Sequence, residues 1–332
     1  MRIFKDNPFG AYYTLSSPSG KQFKAISSSV SKHVAINNDV NLVLDPTSIC
    51  LLYELSIKYG LVYKRKFIVS SFISAILIGL ISDIRNSPHS KMSLSIRHDR
   101  VYPHIYPDDF NEKLASHYEE ILIWINNNCE VIEVPERFNF IMNFSEEQKN
   151  SAYLQLIMEN KLLSDRDNFI LLTDDVIYYR SLRSSPSKVI GSQLYLYEFH
   201  SENRMQIIEF LLEHNYIGVP ISASLLKEEL IKFVSGKENC FSTCLENLKY
   251  SWNPDINLIY EAVKFIKSLY LELFIDNLMR QRIVSLVFAN LLVGLPQTNL
   301  NLLSDLTNQE FKLLPIQQLE VLDILTTVME NR

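Results

Sequence analysis

Two short apolar runs, each closed by aspartate, constrain this chain more than any other feature. Val40 to Leu44 (VNLVL) ends at Asp45, and Phe169 to Leu172 (FILL) ends at Thr173-Asp174-Asp175. A strand buried on both faces, as in a parallel sheet, reads as a continuous apolar run rather than an alternation. Further strands are expected at 67–69, 131–134 and 189–190. Helical spacing fills the gaps at 47–57, 70–84 and 110–126. Ser145 followed by Gln148 is a capping-box pattern expected to open a helix through Ala152 to Leu162. A short helix is expected at 177–182, and the stretch from Asn86 to Pro107, with three prolines, reads as irregular. Strands alternating with helices imply an α/β fold with a mostly parallel sheet and helices on its faces.

The strand signal vanishes from Ser201 onward. Helices are expected at 205–212 and 223–234, from Asn253-Pro254 through Phe274, and at about 278–293 and 319–329. No fixed-period repeat is visible there. The expected organisation is an N-terminal arm over 1–36, an α/β domain over 37–200 and a helical region over 201–332. Phe67 to Ile81 is apolar but shorter than the roughly 20 residues of a spanning helix. It divides naturally into a strand and a buried helix, so no membrane segment is expected. The polar opening from Met1 to Gly20 carries no secretory signal pattern, so a cytoplasmic protein is expected. The four cysteines are too scattered for a disulfide framework and are expected to be reduced. With 8 glycines and neither glycine-rich phosphate-loop pattern, a nucleotide fold built on such loops is hard to place. The net charge of −6 argues against a surface that grips a phosphate backbone throughout.

Ligands of an open parallel sheet bind beyond the carboxyl ends of its strands. If the two acid-terminated strands are neighbours, Asp45, Asp174 and Asp175 converge on one edge. Carboxylates packed that closely repel one another, and a bound cation relieves the repulsion. Oxygen ligands without His or Cys favour Mg²⁺ or Mn²⁺, which would activate a water and neutralise a phosphodiester during hydrolysis. The competing reading makes Asp45, Asp174 and Asp175 helix caps. Asp108 and Asp109 lie in a proline-rich loop and are expected to be solvated. Lys91, Arg97, His98 and Arg100 form a basic loop, read either as an RNA contact or as a wet face.

The strand-Asp-Pro-Thr-Ser-helix segment at Asp45, followed far downstream by strand-Thr-Asp-Asp, resembles the PIN-domain family. The likeness continues through DDVIYYRSL and VIGSQLYL. FLLEHNYIGVPISASLL resembles an extension of such domains in bacterial conflict systems, so that the resemblance covers roughly 38–235. It implies a three-layer α/β/α domain binding Mg²⁺ or Mn²⁺. Asp45 and Asp175 match the first and late metal-binding acids, and Asp174 the variable acid beside the latter. Thr173 would position that loop, and Arg180 would lie near the phosphate. The segment from Ser70 to Ala75 departs from the pattern, because it holds no carboxylate where the family has one. Glu146, Glu147 and Glu54 are the other acids within reach along the sequence. The expected function is a metal-dependent ribonuclease, an effector in a bacterial defence or toxin system with RNA as substrate. The alternative is a catalytically degenerate scaffold whose helical tail docks a protein partner or self-associates. A third reading, nucleotide or small-ligand binding at the same edge, lacks a glycine loop.

Overall fold

The computed structural model describes residues 7–16, 23–24, 36, 39–87, 92–97, 100–137, 145, 151–175, 189–249, 256–271, 275–296 and 299–331. The chain forms two units. The first comprises 1–13 and 34–192, and the second 14–33 and 193–332.

The first unit is built on a parallel sheet. Its strands are β2 (Asn41–Leu44), β3 (Phe67–Ser70), β6 (Cys129–Ile132), β7 (Phe169–Leu172) and β8 (Val189–Ile190), in the order β6-β3-β2-β7-β8. The acid-terminated strands β2 and β7 are neighbours, with Leu44 opposite Leu172. The helices are α2 (Pro46–Tyr59), α3 (Ser71–Asn86), α4 (Phe110–Asn128) and α5 (Ala152–Ser164).

Alternate strand residues face opposite ways, and both faces here are buried. Val43, Ile68, Leu171 and Val189 pack with Leu163, Tyr153 and Ile157 of α5. The other set includes Leu42, Leu44, Val69 and Phe67, whose ring stacks with Trp124 of α4 at 6.4 Å. This is the expected three-layer arrangement, and it explains why these strands lack polar alternation. α2 starts with Asp45 as N-cap and Pro46 in the first turn, and it stops at Gly60, whose φ of 65° is left-handed.

Three local expectations are corrected. The stretch 86–107 holds an antiparallel pair, β4 (Met92–Arg97) and β5 (Arg100–Ile105). Its prolines masked it, but Pro103 sits within β5 opposite Leu94. β6 begins two residues earlier than read, because register places Cys129 opposite Phe67. α5 is capped by Ser151, whose hydroxyl accepts from the Leu154 amide, and Ser145 lies outside the helix. The helix expected at 177–182 falls outside the described residues. A short helix α1 (Pro8–Ser16) buries Phe9 and Tyr12, and Phe9 meets Tyr118 of α4 edge-on at 6.4 Å.

The second unit is largely helical. It contains α6 (Ser192–Phe199, from its second residue), α7 (Arg204–Glu213), α8 (Ala223–Val234), α9 (Phe241–Lys249), α10 (Ile256–Leu271), α11 (Asn277–Gly294), α12 (Leu300–Phe311) and α13 (Pro315–Glu330). The vanishing of strand signal after Ser201 needs one correction. Two-residue strands β1 (Phe23–Lys24) and β9 (Tyr216–Ile217) pair in parallel, and two residues are too few to show a period. α8 packs on α10 and α10 on α12, while α9 packs on α11 and α11 on α13. Helix pairs thus stack in two rows, each touching its neighbours in the manner of a solenoid. Close approach is built in at Gly294, where a Cβ would stand 2.5 Å from the Lys249 carbonyl oxygen. Gly294→Ala is expected to destabilise this unit by about 1–3 kcal/mol through that overlap, read by urea denaturation of the full chain.

Among the described residues no helix is long and apolar enough to cross a membrane. Phe67 to Ile81 instead forms β3 and the first part of α3, as expected. The four cysteines are free thiols, and Cys240 and Cys244 lie one helical turn apart.

Candidate metal centre

Register places the polar residues. Val43 pairs with Ile68, Leu44 with Leu172, and Leu172 with Ile190. Ser70, the last residue of β3, stands level with Asp45, Thr173 and Gly191, each one step beyond its strand. Neighbouring strands are about 4.8 Å apart, so this row spans one continuous edge.

Asp45 is 1% exposed and caps α2. Its Oδ1 accepts from the Ser48 amide at 2.8 Å and from the Thr47 hydroxyl at 2.8 Å. Its Oδ2 accepts from the Thr173 hydroxyl at 2.5 Å. Thr173 Oγ1 in turn accepts from the Asp175 amide at 3.2 Å, and Thr47 Oγ1 from the Asp174 amide at 3.2 Å. The two acid-bearing loops are therefore laced together by threonine hydroxyls. The cap reading of Asp45 is correct as geometry, and it also fixes the carboxylate at the sheet edge.

Asp174 is differently placed. It is fully buried, its Oδ1 accepts from the Ser192 amide at 2.9 Å, and its Oδ2 has no hydrogen-bond partner. Ser70 Oγ, buried on the same edge, also lacks a partner. Buried polar atoms are rarely left unpaired, and two along one edge call for a polar occupant. Burial pushes Asp45 up to about 6, although hydrogen bonds from Ser48, Thr173 and Thr47 oppose it. Burial, and then the charge of Asp45, pushes Asp174 up to about 7. Asp175 is half-buried, and its Oδ2 accepts from the Tyr153 hydroxyl of α5 at 3.2 Å. Burial and the neighbouring charge of Asp175 raise the Tyr153 hydroxyl well above its ordinary range.

The structure thus brings Asp45, Thr173, Asp174 and Asp175 to one edge. Arg180, Glu146 and Glu147 lie outside the described residues. Asp108 and Asp109 are exposed, and Asp109 pairs with Lys113 at 2.7 Å. The reading of residue types passed over Ser192 and Tyr153. Ser192 carried a signal, because it follows strand VI at the same carboxyl edge. Tyr153 carried none, since its role depends on how α5 crosses the sheet.

The donor set fits a hard divalent cation. It offers oxygen alone, it has an unsatisfied carboxylate oxygen at Asp174, and burial raises Asp45 and Asp174 to about 6 and about 7, a penalty on their ionised forms that a cation would offset. Another acidic trio, Glu209, Glu228 and Glu229 of the second unit, has oxygens all within 4.8 Å of one another. That trio already has its cation. Lys232 Nζ lies 2.7 Å from Glu229, 3.0 Å from Glu228 and 3.6 Å from Glu209.

A five-stranded parallel sheet with aspartates on its carboxyl edge has the architecture of a nuclease-type α/β domain. Residues 43–184 match the family described as the PIN domain associated with the TPR-GreAB-C-PIN system. The first unit of this chain carries a PIN domain of that conflict-system family. No curated protein and no solved structure matches the chain significantly.

Proposed function

We propose that the first unit is a metal-dependent ribonuclease, hydrolysing a phosphodiester with Mg²⁺ or Mn²⁺ in the cytoplasm. The observation that carries this reading is the unpartnered, fully buried oxygen of Asp174 beside buried Asp45. Asp45, Asp174 and Asp175 would hold the ion, which supplies Lewis acidity and a more acidic water when bound. Thr173 keeps Asp45 and the Asp175 backbone in register. Tyr153 orients Asp175 by donating to its carboxylate. Arg180 is assigned to the phosphate on the likeness of the surrounding motif. A role as effector in a bacterial defence or toxin system is proposed on the likeness to PIN domains of conflict systems.

Titration of the full chain with Mn²⁺ by calorimetry tests the proposal. Saturable binding is expected for the wild type. In Asp45→Asn with Asp175→Asn it should weaken by at least about a hundredfold, because two anionic ligands are gone while asparagine still serves as N-cap. A folded wild type that binds no Mn²⁺ would sink the nuclease reading.

One observation favours the second reading, a degenerate scaffold whose helical region makes protein contacts. Leu313, Ile316 and Leu319, at the last helix pair, are 84%, 77% and 72% exposed. Such exposed apolar residues suit contact with a protein partner or a second copy.

A further inference from the structure

The antiparallel pair β4–β5, inserted between α3 and α4, sorts its residues by chemistry. Its register sets Met92 opposite Ile105, Leu94 opposite Pro103 and Ile96 opposite Val101. The alternate pairs are Ser93 with His104, Ser95 with Tyr102, and Arg97 with Arg100. Opposite residues of an antiparallel pair share a face, and successive residues change face. One face of the ribbon is therefore apolar throughout. The other holds two arginines, a histidine, a tyrosine and two serines. This division is the pattern of a sheet with one face toward water. What the sequence shows as a basic loop is, by register, a basic face.

Charge sets this stretch apart from the rest of the chain. Between Asn86 and Pro107 stand three basic residues, Lys91, Arg97 and Arg100, and one acid, Asp99, in a chain of net charge −6. Arg97 and Arg100 are direct cross-strand partners on either side of a two-residue connection. Like charges so placed, with β-carbons about 5 Å apart, repel. A phosphate between them turns one repulsion into two attractions. A ribbon that only met water would do better with opposite charges at this rung of its ladder. Guanidinium groups suit phosphate oxygens, and Tyr102, in the next pair of the same face, supplies a ring on which a base can stack.

The ribbon has a defined place relative to the aspartates. Arg85, near the end of α3, pairs with Glu119 of α4 at 2.7 Å, and the Asn111 side chain donates to the Ile84 carbonyl at 3.3 Å. The end of α3 thus meets the start of α4, and the ribbon is inserted where the two helices turn back. α3 itself begins after Ser70, level with Asp45, and its 16 residues cover about 24 Å. One helix therefore joins the carboxylate edge to the foot of the ribbon.

We propose that the β4–β5 ribbon is an RNA-binding arm. Its Arg97–Arg100 pair holds backbone phosphates of a single strand, and Tyr102 stacks on a base. The arm deepens the ribonuclease reading, on which the choice of RNA rests.

The test uses the full chain in EDTA, with a short labelled single-stranded RNA followed by fluorescence anisotropy over a range of salt. The first variant is Arg97→Gln with Arg100→Gln. The second, Lys237→Gln with Lys312→Gln, makes the same change of charge at exposed positions of the second unit. Circular dichroism confirms folding. In the arginine variant RNA affinity should fall about ten- to a hundredfold, and the slope of log affinity against log salt should flatten by about 1.4, the value for two lost single-strand phosphate contacts. The lysine variant should bind RNA nearly as the wild type does. A folded arginine variant that binds as the wild type overturns the proposal. So does an equal loss in the lysine variant, which would mean that diffuse charge alone holds the RNA. The apolar face names the rival occupant, a second copy of the chain, since Ile105 at its foot is 81% exposed. A wild-type dimer that Ile105→Ser dissociates in sedimentation, with RNA binding untouched by the arginine change, assigns the ribbon to that contact and overturns the arm. Mn²⁺ calorimetry of the same proteins separates the arm from the metal centre. Arginine-dependent RNA binding in a protein that takes no Mn²⁺ leaves the arm and removes the metal centre. Mn²⁺ binding with arginine-independent RNA binding does the reverse.

Discussion

In metal-free buffer at pH 8, Asp174→Asn is expected to unfold at a higher temperature than the wild type. An acid with a folded-state value of about 7, against an ordinary value of 3.8, binds its proton more tightly when folded. Its contribution to stability is therefore fully present below about pH 4 and is lost as pH rises through about 7. At pH 8 the wild type carries the whole penalty of ionising a buried carboxyl beside Asp45. The amide carries none, and its oxygen still accepts from the Ser192 amide. The gain should be about 2–4 kcal/mol, or roughly 5–10 °C for a unit of this size. It should shrink as the melts are repeated toward pH 5, where the wild-type carboxyl is protonated. Mn²⁺ should reverse the ranking, raising the wild-type transition and leaving the variant almost unmoved. Equal transitions of the two proteins at pH 8 in EDTA would mean that Asp174 is not strained by its burial.

Replacing Asn247 with leucine is expected to be the most damaging single change in the second unit. Its Oδ1 accepts from the amides of Gly218 and Val219 at 2.8 and 2.9 Å. Its Nδ2 donates to the carbonyls of Tyr216 and Thr243 at 3.0 and 2.9 Å. One buried side chain on α9 thus satisfies the turn after β9, where Gly218 takes a φ of 94°. Leucine keeps the branched outline of four side-chain heavy atoms and abolishes all four bonds. Each stranded buried donor costs about 1–3 kcal/mol, so the sum should be about 4 kcal/mol. Equilibrium urea denaturation read at the second unit's helices checks it. A cost below about 1 kcal/mol would mean that water reaches the turn.

The main elements were legible because their signals are local. FILL and VNLVL are apolar throughout, and a strand covered on both faces leaves no room for polar alternation. The aspartates ending them were legible too, since chain direction alone puts strand-terminal acids on one edge of a parallel sheet. The β4–β5 pair was not legible, because proline argues against a strand unless its place in the ladder is known. Nor were α9 and α12, whose polar stretches depend on neighbouring helices to define a buried face. The start of α5 at Ser151 was not legible, because a cap is decided by where the helix first finds packing.

What the sequence determined by itself was the order of strands and helices, the helical character of the second unit, and the acids available to a metal. Those follow from hydrophobic period and residue chemistry within a few turns of chain. Tertiary structure alone decided which of those groups meet. It set Asp45 level with Thr173 and Ser70, left one Asp174 oxygen unsatisfied, brought Tyr153 to Asp175, and placed Lys232 among three glutamates. Each of these joins residues from separate elements. Burial and strand register, which no local window contains, determine whether a charge is paired, stranded or ready for a ligand.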